Sequence, residues 1–169
     1  MKELIEKTRE YLDYVERHYN NVQKAWAEIL DKCSPVDFWW KNQVQILSEM
    51  DDRIRSHDKS KLSAEEFIQY RRYFYPTSYE NMSKEVKEDM DGAWEHHLEN
   101  NDHHWQNWTK TDPNNVLCLL ENICDWMAMG YEFGDTAREY YENNKRNIKM
   151  PESAIREMNR IFDAVYGKQ

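Results

Sequence analysis

Glycine and proline are scarce, with four of each in 169 residues. All-β sandwiches and barrels turn often and use both residues heavily, so those classes are disfavoured. Cysteine is scarce too. Cys33, Cys118 and Cys124 cannot all pair, and reduced thiols are expected. No apolar run approaches the roughly 20 residues of a membrane span. The segment from Met1 to Lys7 has no apolar stretch of the signal-peptide kind, so no secretory signal and a cytoplasmic location are expected. Positive charge is also lacking. Lys and Arg total 23 against 32 Asp and Glu, a net charge of -9. That balance argues against non-specific nucleic-acid binding, which depends on counterion release by basic side chains.

What remains is a balance of 40% hydrophobic and 33% charged residues, the composition of a globular chain. The length fits one domain over residues 1–169. The pattern is helical almost throughout. From Leu4 to Leu30, apolar residues recur at three-and-four spacing, predicting an amphipathic helix of about 28 residues. Ser34-Pro35 predicts the start of a second helix, carrying Phe38, Trp39, Val44, Leu47 and Ile54. Ser63-Ala-Glu-Glu66 has the capping-box form and predicts a short third helix over 64–74, stopped by Pro76. A fourth is expected over 83–108. Thr111-Asp-Pro-Asn-Asn115 is turn chemistry, with Pro113 able to open the next helix. Residues 116–133 form the most apolar stretch, and Gly134 breaks it. Thr136-Ala-Arg-Glu139 is another capping box, and Pro151 starts a last helix carrying Ile155, Met158, Ile161, Phe162 and Val165. No segment alternates in the manner of a strand. The expectation is an all-α bundle of six or seven helices.

The histidines are few and clustered. Five of six, His57, His96, His97, His103 and His104, lie between residues 57 and 104. His57-Asp58 ends the expected second helix and is followed by Lys59-Ser60-Lys61. An imidazole and a carboxylate side by side suit a borderline divalent ion such as Mn, Fe, Co, Ni or Zn, although the dipeptide alone is common. On a continuous helix, His97 and His104 share one stripe with Trp94 and Trp108, and His96 and His103 a neighbouring one. Residues seven apart are about 10.5 Å apart along a helix axis, too far to grip one ion together. They would serve two ions, or one ion and the substrate, or simply the core. Asp125 lies on the most apolar helix, where a carboxylate needs a cation or several donors; a nearby Arg or Lys would satisfy it equally. His18 falls on the apolar face of the first helix, between Val15, Tyr19 and Val22.

Together, His18, His57-Asp58 and Asp125 give the order H…HD…D on separate helices. This resembles the HD-domain superfamily of metal-dependent phosphohydrolases. The stretches His18-Tyr-Asn-Asn-Val22, His57-Asp-Lys-Ser-Lys61 with Glu65-Glu-Phe67, Ala93-Trp-Glu-His-His97 with Asn101-Asp-His-His104, and Asp125-Trp-Met-Ala are most similar to an uncharacterised bacterial and phage family. That likeness spans roughly residues 10–165. It carries no assigned function, so the activity is the superfamily's.

The resemblance implies an HD-like helical fold with His18, His57, Asp58 and Asp125 holding one divalent ion. Asp58 would bridge to a second ion on His97 and His104, one histidine of each pair being chosen by helical phase. Water acidified by the metal would then attack a small phosphate ester or nucleotide. Asp58 and Lys61 are the expected catalytic residues, Lys61 pairing with phosphoryl oxygens; Lys59, Arg53 and Arg55 are further candidates, and Arg71-Arg72 a surface pair. With a charge of -9, any phosphate site must be locally basic. Two other readings stand beside this one: a metal- or nucleotide-binding module without turnover, and a di-iron site running oxygenation. A purely structural helical domain is the plain alternative. Oligomeric state is not legible.

Overall fold

A helix leaves its terminal backbone groups without partners in its own ladder, and side chains cap three of the helices at their N-termini, those starting at Lys84, Val116 and Ala137. A computed structural model describes residues 1–80, 82–108 and 115–168, and these form seven α-helices and no strand. They are α1 (Lys2–Cys33), α2 (Val44–Ser56), α3 (Phe67–Phe74), α4 (Lys84–Asn100), α5 (Val116–Phe133), α6 (Ala137–Asn144) and α7 (Glu152–Tyr166). No helix among the described residues is long and apolar enough to cross a membrane. The three cysteines are free thiols, all buried.

The chain divides into two compact units. The first comprises Met1–Tyr19 and Asp58–Asn101; the second comprises Asn20–His57 and Asp102–Gln169.

In the first unit, Tyr11, Tyr70 and Ala93 make a small core, with Tyr14, Val15, Phe67, Tyr75 and Met90 packed against it. Tyr11 meets Phe67 edge to face, with centroids 5.2 Å apart, an arrangement the ring quadrupoles favour. The early apolar positions of α1 do not join this core: Leu4, Ile5 and Leu12 are exposed. Ser83 caps α4, its hydroxyl accepting from Val86 N at 3.2 Å. The helix stops at Asn100, eight residues short of the expected Trp108. Asn100 and Asn101 turn their amides back onto the carbonyls of His96 and His97, at 2.8 and 2.7 Å. Asparagine competes with the helix for those acceptors, and two in succession end it.

The capping box expected at Ser63 is not formed. The Glu66 carboxylate is engaged with His96 and His97 instead, the Ser63 hydroxyl has no partner, and α3 starts only at Phe67. Just before Ser63, residues Lys59–Leu62 form one turn of 3-10 helix.

The second unit holds the larger core. Val22, Ile29, Phe38, Trp40, Met50, Leu120, Ile123, Met127, Met158, Ile161 and Phe162 are all buried in it. The expected restart at Ser34-Pro35 does not occur; α2 begins at Val44. Residues 34–43 form tight turns closed by Lys41 Nζ, which donates to the Ser34 and Val36 carbonyls at 2.6 and 2.8 Å. The turns bury both Phe38 and Trp40 while Trp39 stays out, and the Trp40 indole donates to Glu157 at 3.1 Å.

Asn115 caps α5 through Leu117 N, and Gly134, at φ 87°, closes it in the left-handed conformation that glycine adopts at little cost. The rest of the expected turn, 111–114, lies outside the described residues. Thr136 and Glu139 form the expected capping box at the start of α6.

Candidate metal centre

His57 and Asp58 are consecutive, and the chain passes from the second unit to the first at the bond between them. α2 ends at Ser56, and Asp58 takes φ 53°, ψ 24°. It is the one non-glycine residue at positive φ among the described residues. This left-handed conformation costs an L-residue roughly 1–2 kcal/mol, less for Asp than for most. Conformations of this kind persist where the surroundings over-determine them, often at functional sites.

Within the first unit, Asp58 is buried among His18, His97 and Lys61. Its two oxygens divide these partners. Oδ2 lies 3.4 Å from His18 Nε2 and 2.6 Å from Lys61 Nζ; Oδ1 lies 3.4 Å from His97 Nε2. The other nitrogen of His97, Nδ1, is 2.9 Å from Glu66 Oε2. His96 Nδ1 is 2.8 Å from the second oxygen of Glu66. Glu66 is fully buried. Burial raises its pKa, but hydrogen bonds from His97, His96 and Ser60 outweigh that, and the carboxyl is held below its ordinary value. A carboxylate only accepts, so His97 carries a proton on Nδ1 and turns Nε2 toward Asp58.

The second unit repeats the device. His57 Nδ1 lies 2.9 Å from Glu121 Oε1, and His57 Nε2 lies 3.8 Å from Asp125 Oδ1. Burial again raises the Glu121 pKa; the His57 hydrogen bond and the charges of His103, His57 and Arg53 overcome it and leave the carboxyl lowered. Arg53 anchors the other oxygen of Glu121 at 2.6 Å and also pairs with Asp102. His103 Nδ1 lies 3.3 Å from Glu121 Oε1, and its ring packs on His57 with centroids 4.6 Å apart. One donor atom from each of His57, His103 and Glu121 falls within 4.8 Å of the others, so this buried group could hold a metal ion.

The donor chemistry fits such an ion. A neutral imidazole whose Nδ1 bears the proton presents a lone pair at Nε2. Facing a carboxylate, that lone pair needs a positive charge between them, either a second proton or a cation. Separations of 3.4 Å are long for an N–H···O bond. They match two ligands on one ion, which are roughly 3.0–3.4 Å apart when each bond is about 2.1 Å. A carboxylate that holds the far nitrogen of a ligating histidine fixes its tautomer and orientation.

Three further residues belong to this arrangement: Glu66, Glu121 and His103. The Ser63–Glu66 spacing has the form of a helix cap and hides the first. Glu121 precedes Asp125 by four residues on the same apolar helix, a spacing that puts both carboxylates on one face and is the signal that points to it. Helical phase favours His104 over His103, but α4 ends before either. His103 is buried, while His104 is half-buried and packed on the His103 ring at 4.1 Å between centroids. The other basic candidates are paired. Arg53 serves Glu121 and Asp102, Arg55 meets Asp52, Arg71 forms a two-point pair with Glu80, and Arg72 meets Asp89. Lys59 is exposed.

The fold and these groups define an all-α protein with buried imidazole–carboxylate clusters of a kind that can hold a metal. The chain belongs to a Family of unknown function (DUF5662), whose model matches residues 7–164. No curated protein and no solved structure matches it.

Proposed function

We propose that the chain is a metal-dependent phosphohydrolase of the HD type, with His18, His57, Asp58 and Asp125 holding one divalent ion. The observation that carries this reading is the repeated relay. Glu121 orients His57 toward Asp125, and Glu66 orients His97 toward Asp58. The His57–Asp58 peptide bond joins the two sets covalently. A second ion would be held by His97 and His104, with Asp58 as a further ligand. When bound, the ion acidifies water near neutral pH and polarises a phosphoryl oxygen. The chain's own part is positional. The two glutamates fix the tautomers, and Lys61, buried and locally basic in an acidic protein, pairs with the non-bridging oxygens of a small phosphate ester or nucleotide. Asp58 holds Lys61 in place for that role.

The 2.6 Å ion pair between Lys61 and Asp58 favours a second reading, because Lys61 already supplies a positive charge there. In it the chain is a metal- or nucleotide-binding module without turnover.

Elemental analysis of the purified protein against His57→Ala and Asp125→Ala, followed by a panel of nucleotides and generic phosphate esters, separates the readings. Metal present in the wild type, absent from both variants, and hydrolysis of a panel member support the hydrolase. Metal without turnover supports the module, and a coloured, iron-loaded protein points to oxygenation. A wild type that stays metal-free after incubation with Mn, Fe, Ni, Co and Zn overturns the hydrolase and the oxygenation site, and leaves only a module that binds nucleotide without metal.

A further inference from the structure

Tyr70 lies on α3 with 6% of its surface exposed, and its hydroxyl makes no hydrogen bond. Leaving a buried hydroxyl unmatched costs about 1–3 kcal/mol, so each such group calls for an explanation. Its neighbour in the same small core, Tyr11, shows the usual outcome, donating to the Lys61 carbonyl at 3.1 Å. That bond pins the 3-10 turn carrying Lys61, and the Lys61 ammonium lies 5.9 Å from the centre of the Tyr14 ring.

The Tyr70 ring packs against His97, with centroids 5.9 Å apart at an angle of 57°. His97 in turn faces Asp58 through Nε2 at 3.4 Å, and Asp58 holds Lys61 Nζ at 2.6 Å. The unmatched O–H therefore belongs to the same corner of the first unit as the buried Lys61–Asp58 pair. A hydroxyl donor and an ammonium in one buried corner match a group with several terminal acceptor oxygens. A phosphoryl group has three, enough for a hydroxyl, an ammonium and a cation at once. A carboxylate has two.

We propose that Tyr70 is a substrate-binding residue, its O–H donating to one non-bridging oxygen of a phosphoryl group while Lys61 Nζ donates to another. The choice of phosphoryl rests on the hydrolase reading above; the anion-binding corner itself rests on Tyr70 and Lys61.

The test is calorimetric titration of inorganic phosphate into manganese-incubated protein, with metal content measured on each sample. Tyr70→Phe removes only the hydroxyl, and Tyr73→Phe on the same helix is the control. Wild type and control should bind phosphate, and Tyr70→Phe should bind it about tenfold more weakly, the loss of one hydrogen bond. Its metal content should be unchanged and its melting temperature equal or higher, because the lost hydroxyl had no protein partner.

Equal phosphate affinity in Tyr70→Phe overturns the inference. So does a melting temperature several degrees lower, which would mean that the hydroxyl holds a structural water. Metal uptake without any phosphate binding also overturns it while leaving the metal reading intact. Phosphate binding that depends on Tyr70 in a protein without metal does the reverse, supporting the anion corner and ending the hydrolase reading.

Discussion

Glu121 Oε1 lies 2.9 Å from Nδ1 of His57 and so commits the opposite nitrogen of that imidazole to Asp125. Glu66 does the same for His97 in the other unit. Carboxylates in this position typically contribute 10–100-fold to metal affinity without touching the metal. Glu121→Gln and Glu66→Gln should therefore each weaken metal binding by about that factor while helix content stays unchanged. Titration against a chromophoric chelator, with far-ultraviolet circular dichroism as the control, measures both. Unaltered affinity in both variants would mean that the two glutamates serve only the core.

Asp58 combines a chemical and a conformational demand. At φ 53°, glycine suits the backbone better than any L-residue. Asp58→Gly and Asp58→Ala should both abolish the site. The glycine variant should be the more stable of the two by roughly 1 kcal/mol, read from urea denaturation midpoints.

A pH dependence follows from Glu80. Its hydrogen bonds with Arg71 are the largest effect on its carboxyl and, with those from Thr77, lower it from 4.5 to about 2. A folded-state value below the unfolded one contributes stability that is complete above the unfolded value and disappears as pH falls toward the folded one. Stability should thus decline between about pH 4.5 and pH 2, and Glu80→Gln should flatten that part of the curve. An unchanged acid limb in the variant would assign the decline to other carboxylates.

Two glycines should respond in opposite senses. A Cβ on Gly130 would come within 2.5 Å of the Asp135 carbonyl oxygen, whereas a Cβ on Gly92 meets nothing within 4 Å. Gly130→Ala should destabilise by roughly 1–3 kcal/mol, because backbone must move. Gly92→Ala, inside α4, should stabilise by up to about 1 kcal/mol. Thermal denaturation of the pair checks both signs.

Helix type was legible in the sequence wherever one local signal ruled. The Thr136–Glu139 box marks its helix start correctly because the two side chains bond to each other's backbone, and Gly134 marks its helix end through a backbone conformation that glycine adopts at little cost. Ser63–Glu66 shows the same letters and fails, because two histidines some thirty residues away take the glutamate. The early stop of α4 follows from Asn100 and Asn101 folding back on the helix, a choice that periodicity does not record.

The site divides similarly. His18, His57, Asp58 and Asp125 stand out by residue type and setting. Glu66 and Glu121 act on the far nitrogens of two histidines, and no spacing along the chain encodes that relation. His103 turns inward because α4 stops at Asn100, so the helical phase that favours His104 does not apply to it.

The proposed hydrolase requires one divalent ion that takes a ligand from each of His18, His57, Asp58 and Asp125. Anomalous diffraction from crystals soaked in manganese or nickel measures this most directly. A strong peak is expected about 2.0–2.3 Å from one donor atom of each of the four. No peak, or a peak held by His57, His103 and Glu121 without His18 and Asp58, would contradict it.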